Sequence, residues 1–318
     1  IIMDPLETAR VGKTDLRVTR LGLGCSGLAR ANTVEEAVET FNTAMGQGIK
    51  YIDTAPLYGR GKSEARLGKA LQGFDREKIV ISTKVGRLLQ PTDDYEKGPE
   101  YNPVHDYSRG AIVRSWESSL ERLGVDSVDI LFMHDADNHY DQAIGEGYPA
   151  LAELRDDGMI KAIGAGMNQW EMELRFAQEG DFDCFLLAGR YTLLEQEAIT
   201  EFLPYCEENN ISVMIGGPYN SGVLAKPDGR YNYRDVPPEV SAKVARLQEV
   251  CTEHDVPMRA AALQFVMAHP AVASVIPGTK SPRHQEDNFR MMSHPIPGVF
   301  WEDLREKDLL HPDAPVPK

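Results

Sequence analysis

The chain has 318 residues, with 34 Lys and Arg against 49 Asp and Glu, which gives a formal net charge of −15. This negative charge disfavours binding to nucleic acids and to anionic membrane surfaces. No apolar run approaches the roughly 18 residues of a membrane span, and the N-terminus lacks the charged-then-apolar order of a signal peptide. We therefore expect a cytoplasmic protein that acts on a small molecule, with neither nucleic acid nor membrane as a partner.

The cysteines and histidines give no sign of a metal site. Cys25, Cys184, Cys206 and Cys251 lie far apart without a CxxC pair, which argues against both a zinc site and a disulfide framework. The histidines show no spacing typical of metal ligands. We expect reduced, mostly buried thiols and no bound metal.

Short apolar strands alternate with amphipathic helices along the chain. A hairpin around Gly12-Lys-Thr-Asp15 is predicted first. Eight strands follow, at 21–25, 51–53, 79–84, 127–133, 160–166, 183–187, 211–215 and 271–276. Helices are predicted at 33–46, 63–71, 108–123, 148–157, after residue 168, and at 197–209, 237–254, 258–268 and 282–292.

This alternation indicates parallel strands joined by right-handed crossovers, and eight such units predict a (β/α)8 TIM barrel with an N-terminal β-hairpin and extra helices. We interpret residues 1–318 as one domain. A doubly wound open sheet is the alternative, but Gly22-Leu-Gly24 and Gly59-Arg-Gly61 lack the spacing of a dinucleotide fingerprint. The long polar segment 88–107 is typical of a functional lid.

Polar residues close several of the predicted strands. Asp53, Lys84 and His134 end three strands, and Tyr58 follows five residues after Asp53. In a barrel these strand ends meet in one pocket. A lysine cation lowers the pKa of a neighbouring phenol, an aspartate keeps the lysine charged, and a histidine can orient a substrate oxygen. The pattern predicts Tyr58 as an acid/base.

The alternative is a buried Asp53–Lys84 ion pair with an unrelated tyrosine and a core histidine. Four different polar residues at successive strand ends favour the catalytic interpretation, because burying them without a use costs stability.

Several segments together resemble the aldo-keto reductase family from about residue 10 to residue 301. They are Gly22-Leu-Gly-Cys25, Tyr51-Ile-Asp-Thr-Ala-Pro-Leu-Tyr58-Gly, Ser82-Thr-Lys84, His134, Gly164-Ala-Gly-Met-Asn168 and Ile276-Pro-Gly-Thr-Lys-Ser-Pro282. The resemblance implies a metal-free enzyme with Asp53, Tyr58, Lys84 and His134 as its catalytic tetrad. It also implies hydride transfer to or from a nicotinamide bound at the carboxyl ends of the strands.

Further segments, among them Leu187-Ala-Gly-Arg-Tyr191 and Gly216-Gly-Pro-Tyr-Asn220, resemble the branch that contains D-threo-aldose 1-dehydrogenase, L-galactose dehydrogenase and pyridoxal 4-dehydrogenase. This likeness implies oxidation of a cyclic hemiacetal, such as L-fucose, L-galactose or D-arabinose, to its lactone. Oxidation of pyridoxal to 4-pyridoxolactone, general carbonyl reduction with NADPH and a cofactor-binding subunit with little turnover are the alternatives. Tyr58, His134 and Trp170 are the expected substrate contacts.

The resemblance also supplies the expected cofactor contacts, which are Gly24, Asp53, Asn168, Arg190, Gly216, Pro218, Gly222, Gly278, Lys280, His284 and Asn288. Three positions depart from the family pattern. Met167 replaces a serine, Ala188 replaces a glutamine, and Gly216 replaces the tyrosine that stacks on the nicotinamide. Arg190 could take the place of the glutamine, and Tyr219 could take the place of the tyrosine.

The residues after the last strand bear on the choice between NAD and NADP. Many NADP-using relatives carry a lysine and an arginine where this chain has Gly278 and His284. Loss of two fixed cations weakens binding of a 2′-phosphate, so the sequence favours NAD. Lys280 and Arg283 could substitute for these cations, so NADP remains an alternative cofactor.

The sequence does not indicate whether the protein is a monomer or an oligomer.

Overall fold

Parallel strands form a barrel in the computed structural model, which describes residues 2–100 and 102–318. Among these residues the barrel has eight strands, which pair in chain order. They are β3 (Leu23–Gly24), β4 (Tyr51–Asp53), β5 (Val80–Val85), β8 (Ile130–His134), β9 (Ala162–Met167), β10 (Cys184–Ala188), β11 (Ser212–Gly216) and β12 (Val272–Ile276). The predicted (β/α)8 barrel is confirmed.

The barrel closes between its first and last strands. Predicted over residues 21–25, the first strand is reduced to Leu23–Gly24, but parallel bridges join Leu21 to Val275 and Gly24 to Gly278. Gly24 is needed there because a Cβ would lie 2.8 Å from the carbonyl oxygen of Ile276. Closure therefore brings the ends of the first and last strands to one rim.

The predicted hairpin, β1 (Thr8–Arg10) with β2 (Arg17–Thr19), packs at the amino-terminal end of the barrel. Val11, Leu16 and Val18 join a core of inward-facing strand side chains that includes Tyr51 and Phe132. The Gly12 N–H donates to Ser212 Oγ at 2.8 Å, at the start of β11. The hairpin therefore covers the amino-terminal end of the barrel, opposite the carboxyl ends of the strands.

Helices surround the barrel and bury their apolar faces against the outside of the strands. They are α1 (Val34–Gln47), α2 (Lys62–Leu71), α3 (Arg109–Leu123), α4 (Tyr140–Gln142), α5 (Tyr148–Asp156), α6 (Trp170–Glu179), α7 (Phe202–Glu208), α8 (Pro238–Glu253), α9 (Met258–Val266), α10 (Pro282–Met292) and α11 (Gly298–Glu306). The predicted helix over residues 108–123 corresponds to α3, where the Ser108 hydroxyl accepts from the Ala111 N–H and Gly124 ends the helix with φ of 62°.

Some elements were not predicted from the sequence. The proposed lid segment contains an antiparallel ribbon of β6 (Arg87–Leu88) and β7 (Val104–His105), whose two-residue strands are too short for a readable alternation. Residue 101 of that segment lies outside the described residues. The terminal helix α11 was also missed, and α7 begins five residues later than predicted because residues 197–199 form a separate turn. Among the described helices, none is long and apolar enough to cross a membrane.

Candidate active site

A buried ion pair lies at the centre of the candidate site. Lys84 Nζ, on β5, donates to both carboxylate oxygens of Asp53 on β4 and to the carbonyl oxygen of Thr54, each at 2.8 Å. Ser82 Oγ donates to Asp53 Oδ1 at 2.8 Å. Both charged side chains are almost inaccessible to solvent. The ammonium and the carboxylate are therefore held in one geometry by neighbouring strands.

The phenol of Tyr58 lies next to this pair. The turn that follows β4 carries Tyr58, and the Tyr58 N–H donates to the Ala55 carbonyl at 3.2 Å. Lys84 Nζ is 4.8 Å from the centre of the Tyr58 ring. Gly59 continues the turn with φ of 62°, a conformation that favours glycine. The turn thus places the ring within reach of the buried cation.

The pKa of Tyr58 differs from the sequence-based expectation. Burial raises it, the Lys84 cation lowers it and the Asp53 carboxylate raises it, with a net value of about 12. Lys84 therefore acts in the predicted direction, but desolvation of the phenolate is the larger effect. The expectation that lysine brings the phenol below its ordinary pKa is therefore wrong.

Lys84 keeps its charge in spite of its burial. Burial lowers the pKa of Lys84, but the Asp53 carboxylate and the Tyr58 phenol more than offset this, so that the pKa is raised. The ammonium is therefore available to stabilise a neighbouring negative charge at physiological pH.

His134, the last residue of β8, lies beside Tyr58 with its ring perpendicular and the two ring centres 6.1 Å apart. Burial lowers the pKa of His134 well below its usual value, and Lys84 and Arg87 lower it further. The imidazole is therefore neutral at physiological pH. Its backbone carbonyl accepts from the Tyr107 hydroxyl, which anchors the strand end.

A cavity of about 760 Å³ opens beside Asp53 and Tyr58 at the carboxyl ends of the strands. This volume is within the usual range for a small-molecule site. Most of the expected cofactor contacts line it, namely Gly24, Asp53, Asn168, Gly216, Pro218, Gly222, Gly278, His284 and Asn288.

Hydrogen bonds fix the amides that line this cavity. Asn168 Nδ2 donates to the Ala188 carbonyl at 2.7 Å, which leaves its amide oxygen for a ligand. The Tyr219 hydroxyl donates to Asn288 Oδ1 at 2.9 Å, so Tyr219 faces the α10 side of the cavity. Gly216 lines the cavity at the position where the family pattern has a stacking tyrosine, so the wall carries no side chain there.

Three expected contacts lie elsewhere, and His134, although it lies beside Tyr58, does not line the cavity either within the described residues. Arg190 bonds to Asn232 and lies 3.6 Å from Glu195 Oε2, so its charge is used within the neighbouring loops. Lys280 is exposed and Trp170 packs against the core at the start of α6. None of the three lines the cavity within the described part of the chain.

The cavity has the chemistry that a nicotinamide dinucleotide requires. Four cations line it in a strongly acidic protein, and cations in the wall of a cavity suit a diphosphate; they are Arg30, Lys226, Arg230 and Arg259. Asn220 Oδ1 is buried there without a partner among the described residues, an acceptor available to a ligand. The sequence did not predict these contacts, because they lie in loops and at a helix start without a recognisable motif.

Comparisons with known proteins agree on the kind of protein. A model of the aldo/keto reductase family matches residues 20–309. Pyridoxal 4-dehydrogenase of Microbacterium luteolum is 38% identical over 96% of this chain and 98% of its own length. D-threo-aldose 1-dehydrogenase of a Pseudomonas species is also 38% identical, over 93% of this chain and 95% of its own. An aldo-keto reductase from Bacillus halodurans in its holo form has a TM-score of 0.81 at 27% identity, covering 99% of this chain and 98% of that one.

The buried ion pair should be costly to break but not needed for folding. Replacing Asp53 alone by Leu leaves the Lys84 ammonium buried without its partner, and we expect a loss of about 3–5 kcal/mol in the free energy of unfolding. The double variant Asp53→Leu with Lys84→Met should recover most of this loss. Urea unfolding monitored by circular dichroism measures both, and a double variant less stable than Asp53→Leu would contradict the expectation.

Proposed function

The chain belongs to the aldo/keto reductase family and is an NAD(P)-dependent oxidoreductase, and on that premise we propose that it oxidises a cyclic hemiacetal to its lactone. The observation that carries this proposal is the Lys84 ammonium, held by Asp53 4.8 Å from the centre of the Tyr58 ring. The D-threo-aldose 1-dehydrogenase and the pyridoxal 4-dehydrogenase are equally similar to this chain. An aldose and pyridoxal each carry an aldehyde that closes with a hydroxyl of the same molecule to a ring hemiacetal, which supports this kind of substrate.

In the proposed reaction the Tyr58 phenolate removes the proton from the hemiacetal hydroxyl. The electron pair of the breaking O–H bond forms the lactone carbonyl as the ring carbon loses its hydride. Lys84 stabilises the phenolate, and Asp53 keeps Lys84 charged. Neutral His134 donates a hydrogen bond to the same substrate oxygen and orients it.

Asn168 and the cationic lining of the cavity would hold the nicotinamide dinucleotide, which supplies the hydride acceptor when it is bound. Asn168 would bind the carboxamide and the Arg30 and Lys226 cations the diphosphate. The residues of this chain therefore bind the cofactor, orient the substrate oxygen and exchange its proton.

We propose NAD as the preferred cofactor. Gly278 carries no charge, and His284 is kept neutral because partial burial and the nearby Lys280 lower its pKa. The Asp287 carboxylate also lines this part of the cavity, and Arg259 is paired with it. A 2′-phosphate would therefore find no positive charge at residues 278 and 284, where NADP-using relatives carry cations. It would lie near the Asp287 carboxylate, and Arg259 is already paired with that carboxylate.

General carbonyl reduction with NADPH remains the alternative function. A panel of L-fucose, L-galactose, D-arabinose, pyridoxal and simple aldehydes, each with NAD or NADP, separates the two. Lactone formation with a hemiacetal supports the proposal. Brisk aldehyde reduction without oxidation of any hemiacetal would replace it with the alternative.

Tyr58→Phe removes the proposed base and keeps the ring. We expect kcat for hemiacetal oxidation to fall by about 10²–10⁴-fold, with cofactor binding retained. Tyr191→Phe is the matched control, because Tyr191 is a fully buried phenol packed against Phe265 away from the cavity. Steady-state kinetics and cofactor fluorescence measure both, and a Tyr58→Phe enzyme of near wild-type rate would refute the role.

The oxidation rate should rise with pH, because the pKa of Tyr58 lies above the neutral range and the phenolate is the reactive form. No step should appear near pH 6.5, since His134 is already neutral there. In Lys84→Met the phenolate loses its neighbouring cation, so the rise in the residual rate should move to higher pH. Profiles of kcat/KM test this, and an identical position of the rise in both enzymes would exclude the role of Lys84.

His284→Arg should improve NADP binding by restoring a fixed cation. One charge-assisted hydrogen bond corresponds to about tenfold or more in Kd. Fluorescence titration should give a lower Kd for NADPH and little change for NADH. An equal effect on both cofactors would place residue 284 away from the 2′-phosphate.

A further inference from the structure

A second ion pair lies beside His134 and takes no part in the proposed proton transfer. Arg87 Nη1, on β6, donates to Asp135 Oδ2 at 2.6 Å. The same carboxylate oxygen is 3.7 Å from His134 Nε2. The Asp135 and Arg87 side chains are 31% and 21% exposed, so both are partly accessible to solvent.

The backbone directs Asp135 toward His134. Successive residues of a strand point to opposite faces, and an ordinary extension of β8 would turn the residue after His134 away. Asp135 instead adopts φ of 50°, and its N–H donates to the Gly166 carbonyl at 2.9 Å. The carboxylate consequently lies on the same side as the imidazole.

His134 Nδ1 is buried without a hydrogen-bond partner among the described residues. This leaves Nε2, beside Asp135, as the nitrogen that meets a substrate oxygen. If Nε2 donates to the reacting oxygen, the Asp135 carboxylate can accept from a hydroxyl on the neighbouring carbon. The 3.7 Å between Nε2 and Oδ2 allows these two hydrogen bonds, each of about 2.7–3.0 Å, to form to adjacent oxygens of one substrate.

A carboxylate requires a hydrogen-bond donor. The hydroxyl on the carbon next to the anomeric centre of an aldose meets this requirement, whereas a phosphate or an ionised phenol can only accept and would be repelled. Arg87 fixes the carboxylate with one nitrogen, and its Nε is buried without a partner among the described residues.

We propose that Asp135, held by Arg87, binds the 2-hydroxyl of an unphosphorylated aldose and so makes the enzyme select sugars over pyridoxal. The inference rests on the proposed hemiacetal oxidation and names its substrate class. Asp135 is a specificity residue for that reaction, and Arg87 is a positioning residue.

Kinetics with L-fucose and 2-deoxy-L-fucose test the contact by removing the substrate hydroxyl, and the Asp135→Asn variant tests it by removing the carboxylate. Removing the hydroxyl should lower wild-type kcat/KM by about 10–100-fold, the range for a hydrogen bond to a charged group. Asp135→Asn should lose about tenfold on L-fucose, mainly in KM, and almost nothing on the deoxy sugar. The wild-type comparison needs no variant, so a poorly folded Asp135→Asn does not remove the test.

Arg87→Gln should reduce the discrimination between the two sugars. Arg155→Gln is its matched control, because Arg155 pairs with Asp183 at 2.9 Å before β10, far from the rim, with similar exposure of 19%. Arg155→Gln should keep the wild-type discrimination.

Equal kcat/KM values for the two sugars in the wild type, or the same loss on both sugars in Asp135→Asn, would overturn the inference while hemiacetal oxidation stands. Turnover of pyridoxal alone would overturn it and leave the lactone-forming reaction in place. Failure to oxidise any hemiacetal would remove the proposed function and this inference with it.

Discussion

The bidentate contact between Lys84 and Asp53 is the interaction on which the site depends. An ammonium buried this deeply would lose its proton or destabilise the fold without a partner. Asp53 supplies that partner from the adjacent strand, and the Ser82 hydroxyl donates to the same carboxylate. The pairing of β4 with β5 therefore sets the position of the charge, and the turn that begins after Asp53 sets the position of the phenol.

The raised pKa of Tyr58 changes how this arrangement should be understood. Lys84 does not make the phenol strongly acidic. It limits the increase that burial and Asp53 would otherwise cause. Tyr58 is therefore protonated at neutral pH, and the lysine lowers the free energy needed to form the phenolate. A neutral His134 is consistent with this division, because it can orient an oxygen without competing for the proton.

Much of the fold and the centre of the site could be predicted from the sequence. Strand periodicity gave the barrel, and polar residues at strand ends placed Asp53, Lys84 and His134 at one rim. Other features depend on tertiary contacts that no local pattern records. Arg190 was expected at the cofactor but pairs with Glu195 and Asn232, Asn220 lies in a loop without a motif, and Asp135 reaches His134 only through a left-handed backbone. The net pKa of Tyr58 depends on the extent of burial, which the sequence does not give.

The central claim is that the Lys84 charge stabilises the phenolate of Tyr58. The most direct measurement is a pH titration of tyrosine labelled with ¹³C at Cζ, with the Tyr58 signal assigned by its loss in Tyr58→Phe. The account predicts that Tyr58 ionises at a lower pH in the wild type than in Lys84→Met. Ionisation at the same pH in both proteins would contradict it.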